Sequence, residues 1–353
     1  TLAKLETAET DAPPANLEAW IDALGISSKR AADVRVRQLL GLEPPFLGRV
    51  DVTLRDLVEA LGVTRQAIAR NLADAIKHWR GQAWVGALRS LALQTVDGLA
   101  GVTPLPLAIQ ALRTLIPHDP AIAHELSAAR CGALLRVAVE LGTDDRQRGL
   151  ALHRRTRGPI GRDPSTVLWL VSRPDLWLNI DNLGRRADEL AKRPVLAASS
   201  ETERVLELVV QNTALSANEL GLSRLVELAA WASHHAAASS RLELYPLGMA
   251  AARALELSAQ ALGNKPISAD EVARRVHNRY PDAEPLPTRP ALDALLEPLQ
   301  LRWVDKPEGP EGAGSYERPQ LHAPATSTLS RSLHREPTIV GDEPGPLAKP
   351  PRA

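Results

Sequence analysis

The stretch Val52–Arg80, VTLRDLVEALGVTRQAIARNLADAIKHWR, constrains the fold more than any other, because two helices and the turn between them can be read from it residue by residue. Val52, Leu54, Leu57, Val58 and Leu61 fall on one helical face, Gly62 breaks the helix, and Thr64 can cap a second helix carrying Ile68, Leu72 and Ile76. This is the pattern of a helix-turn-helix. In that geometry Thr64, Arg65, Gln66 and Arg70 project from the first turns of the second helix, where base edges are met, while Lys77, His78 and Arg80 lie within reach of phosphates. The competing reading is a helical hairpin packed for structure or against another protein, and Asp51, Asp56, Glu59 and Asp74 weigh on that side.

With 353 residues the chain exceeds one ordinary core, so several modules are expected. Hydrophobic residues make up 44% but aromatic ones only 3%, so the cores must be built from Leu, Ala, Val and Ile, which favours helices. Net charge is zero, which excludes coating nucleic acid by bulk electrostatics and leaves only local patches. A single cysteine, Cys131, excludes an internal disulfide framework and a Cys-rich zinc site, and reads as a small core residue in a reducing compartment. No apolar run reaches the ~20 residues that span a bilayer, and no signal-peptide pattern opens the chain, so a soluble, cytoplasmic protein with no membrane partner is expected. Residue 1 is Thr, consistent with a piece of a longer polypeptide.

The expected fold is mostly α: a tandem array of helix-turn-helix and winged-helix-like units with short β-hairpins and a disordered C-terminal tail. A linker occupies 1–15, and a helical domain with the helix-turn-helix occupies 16–82, its first helices at Leu17–Leu24 and Ala31–Leu40. A winged-helix-like domain follows over 83–178, with helices at 105–115 and 121–141, then extended runs at 149–153 and 166–171. A third unit spans 179–264, with helices near 183–192, 201–211, 222–236 and 249–262 around an extended SSRLELYP. A small fourth unit, 265–317, repeats helix, Pro-rich connection, helix and strand, and 318–353 is the tail, poor in large apolar residues.

Between Arg146 and Arg162 lie Arg148, His153, Arg154, Arg155 and Arg157 without one acid, where the wing would fall. Arg148, Arg154, Arg155 and Arg157 are candidate phosphate or minor-groove contacts. The alternative is a solvated loop that pairs with Asp144, Asp145 and Asp163. The third and fourth units carry acids on their second helices, Glu227, Asp293 and Glu297, and suit protein packing instead. His234 and His235 are adjacent, so on a helix they diverge by about 100°, and no partner at i+4 completes a metal set. Neither a metal nor a cofactor is expected. The sequence lacks G-x-x-x-x-G-K-[ST], G-x-S-x-G, H-E-x-x-H and the kinase H-R-D and D-F-G motifs, and on that ground it reads as a non-enzyme.

Several segments in one order carry a resemblance: ADVRVRQLLGL into LVEALGVTRQAIARNL, then LGRRADELA, SSRLELYPLGMAAARAL, and VARRVHNRYPDAEPLPTRPALDALL, closing at GSYERPQ. Together they cover most of 30–320, and the chain resembles the C-terminal, non-kinase region of the serine/threonine kinase family of phage growth limitation systems, the type 2 class of BREX islands. The resemblance implies a bacterial anti-phage setting with a methyltransferase, an ATPase and a phosphatase-like protein as partners, and any kinase activity would have to lie upstream or be absent. From the residues themselves the expected role is a targeting or regulatory region that contacts duplex DNA, with a homodimer as a further option. An interaction scaffold without DNA binding and a stand-alone transcriptional regulator are the alternatives.

Overall fold

The computed structural model describes residues 13–142, 149–211, 213, 220–305 and 314–318. The expected tail and nearly all of the expected N-terminal linker lie outside these residues. The described chain is mostly helical, with three small antiparallel sheets. Its first helices are α1 (Leu17–Ala23), α2 (Ala31–Leu39), α3 (Leu54–Leu61), α4 (Arg65–Arg80) and α5 (Val85–Asp97). Strand β1 (Val102–Pro104), α6 (Leu105–Leu115), α7 (His124–Gly142), β2 (Ala151–Arg157) and β3 (Ser165–Val171) follow, with strand order β1-β3-β2.

Strand β3 explains how the two largest cores meet. Its sequence STVLWLV is apolar without alternation, as befits a strand covered on both faces. Leu168 and Leu170 join a core built from α1, α5, α6 and α7, whereas Trp169 and Val171 join the next unit's core. That unit comprises α8 (Trp177–Ala191), α9 (Ser199–Val210), α10 (Leu222–Ala232), β4 (Ala236–Ala238) and β5 (Leu244–Pro246). Gly184 lets α8 approach α10 closely: a Cβ there would collide with the Ala232 carbonyl.

The last unit is α11 (Ala251–Leu262), α12 (Ala269–Arg279), α13 (Ala291–Leu296), β6 (Arg302–Asp305) and β7 (Gly314–Glu317). Ile267 forms an antiparallel bridge with Tyr316 of β7, so its three extended segments run in the order 267, β7, β6. The succession helix, short strand, helix, helix, hairpin is therefore the same as in the unit from α5 to β3.

Several details differ from the sequence expectation: β1 has no counterpart in it, β2 runs to Arg157 and not to 153, and Val52 precedes α3 in place of lying on it. Helix α10 stops at Ala232, because Ser233 takes an extended backbone and its hydroxyl bonds the Ala230 and Ala236 carbonyls; 236–238 is strand, and most of SSRLELYP is the turn before β5. Helix 251–262 buries Ala254, Leu255 and Leu262 in the last core, so it belongs with α12 and α13 and not with the third unit.

Candidate nucleic-acid interface

The helical pair read from the sequence is present, with Gly62 and Thr64 acting as expected and Thr53 adding a cap that the sequence reading does not name. Thr53 opens α3 with a capping box: its hydroxyl accepts from the Asp56 N–H at 3.1 Å, and the Asp56 carboxylate accepts from the Thr53 N–H at 2.7 Å. That backbone donor, foremost, holds the Asp56 carboxyl below its usual range. Gly62 ends α3 in the left-handed region with φ +64°, and the Thr64 hydroxyl accepts from the Ala67 N–H at 3.2 Å to start α4. Beneath the pair lies a small core of Leu39, Phe46, Val52, Leu57 and Ile68.

Long-range contacts fix this unit to the body. The Trp79 indole N–H donates to the Leu24 carbonyl oxygen at 2.8 Å, tying the end of α4 to α1. From α7, the Arg136 Nη1 donates to the carbonyl oxygens of Leu39, Val50 and Val52 at 2.9, 3.3 and 2.7 Å, which sets the chain entering α3. Burial, foremost, pulls the Arg136 pKa down, against the opposing pull of the Glu140 and Asp51 carboxylates.

Thr64, Arg65, Gln66, Arg70, Lys77 and Arg80 are all exposed. They share the solvent side of α4, while Ile68 and Trp79 face inward. The first turn of α4 holds no acid, and among the described residues no carboxylate bridges Arg65, Arg70 or Lys77. This is a rigid helix presenting cations and an amide from its N-terminal half.

The basic hairpin is arranged differently. Arg148 lies outside the described residues. Arg154 is exposed, on the side of β2 opposite Arg155 and Arg157. Arg155 is buried, and its Nη1 donates to Asp181 of α8 at 2.7 Å, which holds that carboxyl below the usual range. The Arg157 Nη2 donates to the Ala236 carbonyl oxygen at 2.8 Å, and its guanidinium lies 5.2 Å over the Trp231 ring.

The hairpin tip is fastened as well. The Gly158 N–H donates to the His234 carbonyl oxygen at 2.9 Å; the His234 and His235 rings bond the carbonyls of Thr156 and Gly158 through Nδ1, each at 2.8 Å; Arg162 pairs with Glu284. Asp188 accepts both backbone N–H groups of the two histidines, so their place is structural. Helix α7 is enclosed by α1, α4, α5 and α6, with most of its residues buried. The structure thus gathers the α4 candidates on one open face and commits Arg155 and Arg157 to interior contacts. Period-two alternation in ALHRRTR, taken with the two-faced β3, was the signal that separates Arg154 from Arg155 and Arg157.

No helix among the described residues is long and apolar enough to cross a membrane. No protein-family model and no solved structure matches the chain. The sequence is, however, similar to a protein of Streptomyces coelicolor named "Probable kinase PglW", with 28% identity over 254 residues. That name overturns the reading of the chain as a non-enzyme, since the absence of short motifs is no ground for excluding catalysis when the similar protein is called a kinase. The similarity covers 65% of this chain but only 16% of PglW, so the chain spans a small part of the relative it matches.

Proposed function

We propose that this chain is a duplex-DNA-binding targeting region of an anti-phage defence protein, and that α4 is the element that reads DNA. The observation that carries this reading is the exposed Arg65, Gln66 and Arg70 at the start of a capped helix whose opposite face is fixed by Ile68 and Trp79. Bidentate arginine and glutamine side chains suit guanine and adenine edges in the major groove, while Lys77, Arg80 and the exposed Arg154 suit phosphates. Similarity to PglW, together with the resemblance to the phage growth limitation kinases, supports the defence setting. The DNA-reading pair is a helix-turn-helix. The units from α5 to β3 and from α11 to β7 have the element order and sheet order of winged helices, and here they act as packing modules. Their outer surfaces are where a methyltransferase, an ATPase or a phosphatase-like defence protein, or a second copy of the chain, would dock.

The test is a titration of a mixed-sequence duplex with the full chain, read by fluorescence anisotropy. Arg65→Ala with Arg70→Ala is expected to weaken binding by about 1–3 kcal/mol for each arginine that reads a base edge. Unchanged affinity in that variant, with the wild type binding, would remove α4 from the interface. No binding by the wild type at low salt would favour a scaffold that makes no contact with DNA.

A further inference from the structure

We infer that Asp74 is a specificity-determining residue of α4, whose carboxylate accepts a hydrogen bond from the exocyclic amine of a cytosine in the major groove. The inference rests on the reading of α4 as the element that enters DNA, and it goes further by naming a base that the cations of the helix do not select.

Three exposed side chains, Gln66, Arg70 and Asp74, stand at i, i+4 and i+8 and so form one ridge along α4. The row beside it is Arg65, Ala69, Ala73 and Lys77, with the same spacing. Ala69 and Ala73 are exposed and end at Cβ, so along the middle of the helix no long side chain holds the ridge away from a surface laid against it. Ile68 and Trp79, buried on the other side, fix which way the ridge points.

An acid on that ridge opposes any general attraction to DNA. Arg70 and Lys77 lie at i−4 and i+3 from Asp74, within pairing reach on a helix, yet among the described residues no cation bridges it. Asp74 does not cap the helix either, since it sits in the third turn of α4, past the unpaired N–H groups of the helix start. Near a phosphate its free carboxylate is repelled. Against a base edge it can only accept, so one partner stabilises it and the others penalise it. In the major groove guanine presents two acceptors, thymine an acceptor and a methyl group, and adenine an amine flanked by N7; cytosine presents an amine with no acceptor of its own beside it. A wrong base leaves the desolvated carboxylate unpaired, and that penalty discriminates more sharply than the correct contact attracts.

The spacing also gives the site a length. Each step along the ridge rises about 6 Å, close to two base pairs at about 3.4 Å each. With Gln66 on adenine and Arg70 on guanine, the ridge reads adenine, guanine and cytosine at intervals of about two base pairs.

The test is selection by the full chain from a pool of random-sequence duplexes, with the bound DNA sequenced, for the wild type, Asp74→Ala, Asp74→Asn and Arg65→Ala with Arg70→Ala. The wild type is expected to enrich a motif in which one cytosine is preferred by about fivefold or more, and Asp74→Ala should erase that preference while the rest of the motif stays. Asp74→Asn should move the same position to adenine, because an amide meets N6 and N7 together. Asp74→Ala should also bind a duplex lacking the motif about twofold more tightly or better, since a charge that phosphates repel is gone. A wild-type motif that persists unchanged in Asp74→Ala, or an Asp74-dependent position held by an A·T pair, would overturn the role of Asp74 and leave α4 as the reader. No motif in the wild type, or a motif untouched by the Arg65 and Arg70 substitutions, would remove the reading of α4 and this inference with it.

Discussion

Arg136 illustrates how one side chain can hold a surface it does not share. Its Nη1 reaches carbonyls at the end of α2 and on both sides of Asp51, so the path into α3 depends on a cation contributed by α7. Arg136→Met keeps the apolar stem but leaves carbonyls without a donor, at a cost of about 1–3 kcal/mol for each that stays dry. Urea unfolding should register this loss, whereas Arg65→Ala, on the open face of α4, should shift stability by no more than about 0.5 kcal/mol. The capping box adds a pH dependence of defined sign. Asp56 has its native pKa depressed, so its contribution is complete above the ordinary aspartate value of 3.8 and is lost as pH falls through the lower native value. Asp56→Asn should therefore flatten the acid limb of the stability profile below about pH 4, measured by denaturant unfolding across pH.

Among the elements, the hairpin β2–β3 behaves as a strut. Its strand β3 is shared by two cores, and its tip is bonded to the turn after α10 and to the loop following α12. Arg155→Ala removes a charged hydrogen bond to the partly exposed Asp181 and should cost roughly 1–2 kcal/mol of stability. Duplex affinity measured by anisotropy should stay at the wild-type level, because that side chain faces α8. A loss of affinity without a loss of stability would return Arg155 to the DNA-binding surface.

The elements that could be read in advance were those with local signals: α3 and α4 from caps and one apolar face, and β3 from its unbroken apolar run. The strand at 236–238 was hidden because Ala236, Ala237 and Ala238 favour helix, and only the Ser233 hydroxyl bonds and the pairing with β5 override that preference. The inward turn of Arg155 and Arg157 was likewise non-local, since it depends on Asp181 and Trp231 far along the chain.

At the scale of the molecule, the open basic face of α4 stands out against a chain of zero net charge. Affinity from a few phosphate contacts should then fall only moderately with salt, by a log–log slope of about −0.9 per phosphate engaged. On the proposed reading α4 enters a major groove, while α7 is enclosed and the hairpin fastened within the units that carry it. Hydrogen–deuterium exchange of the full chain with and without a duplex tests this most directly. Slowed exchange is predicted in peptides covering 62–82, with peptides covering the fastened hairpin tip at 158–166 unchanged. Slowed exchange confined to 158–166, with 62–82 unaffected, would contradict it.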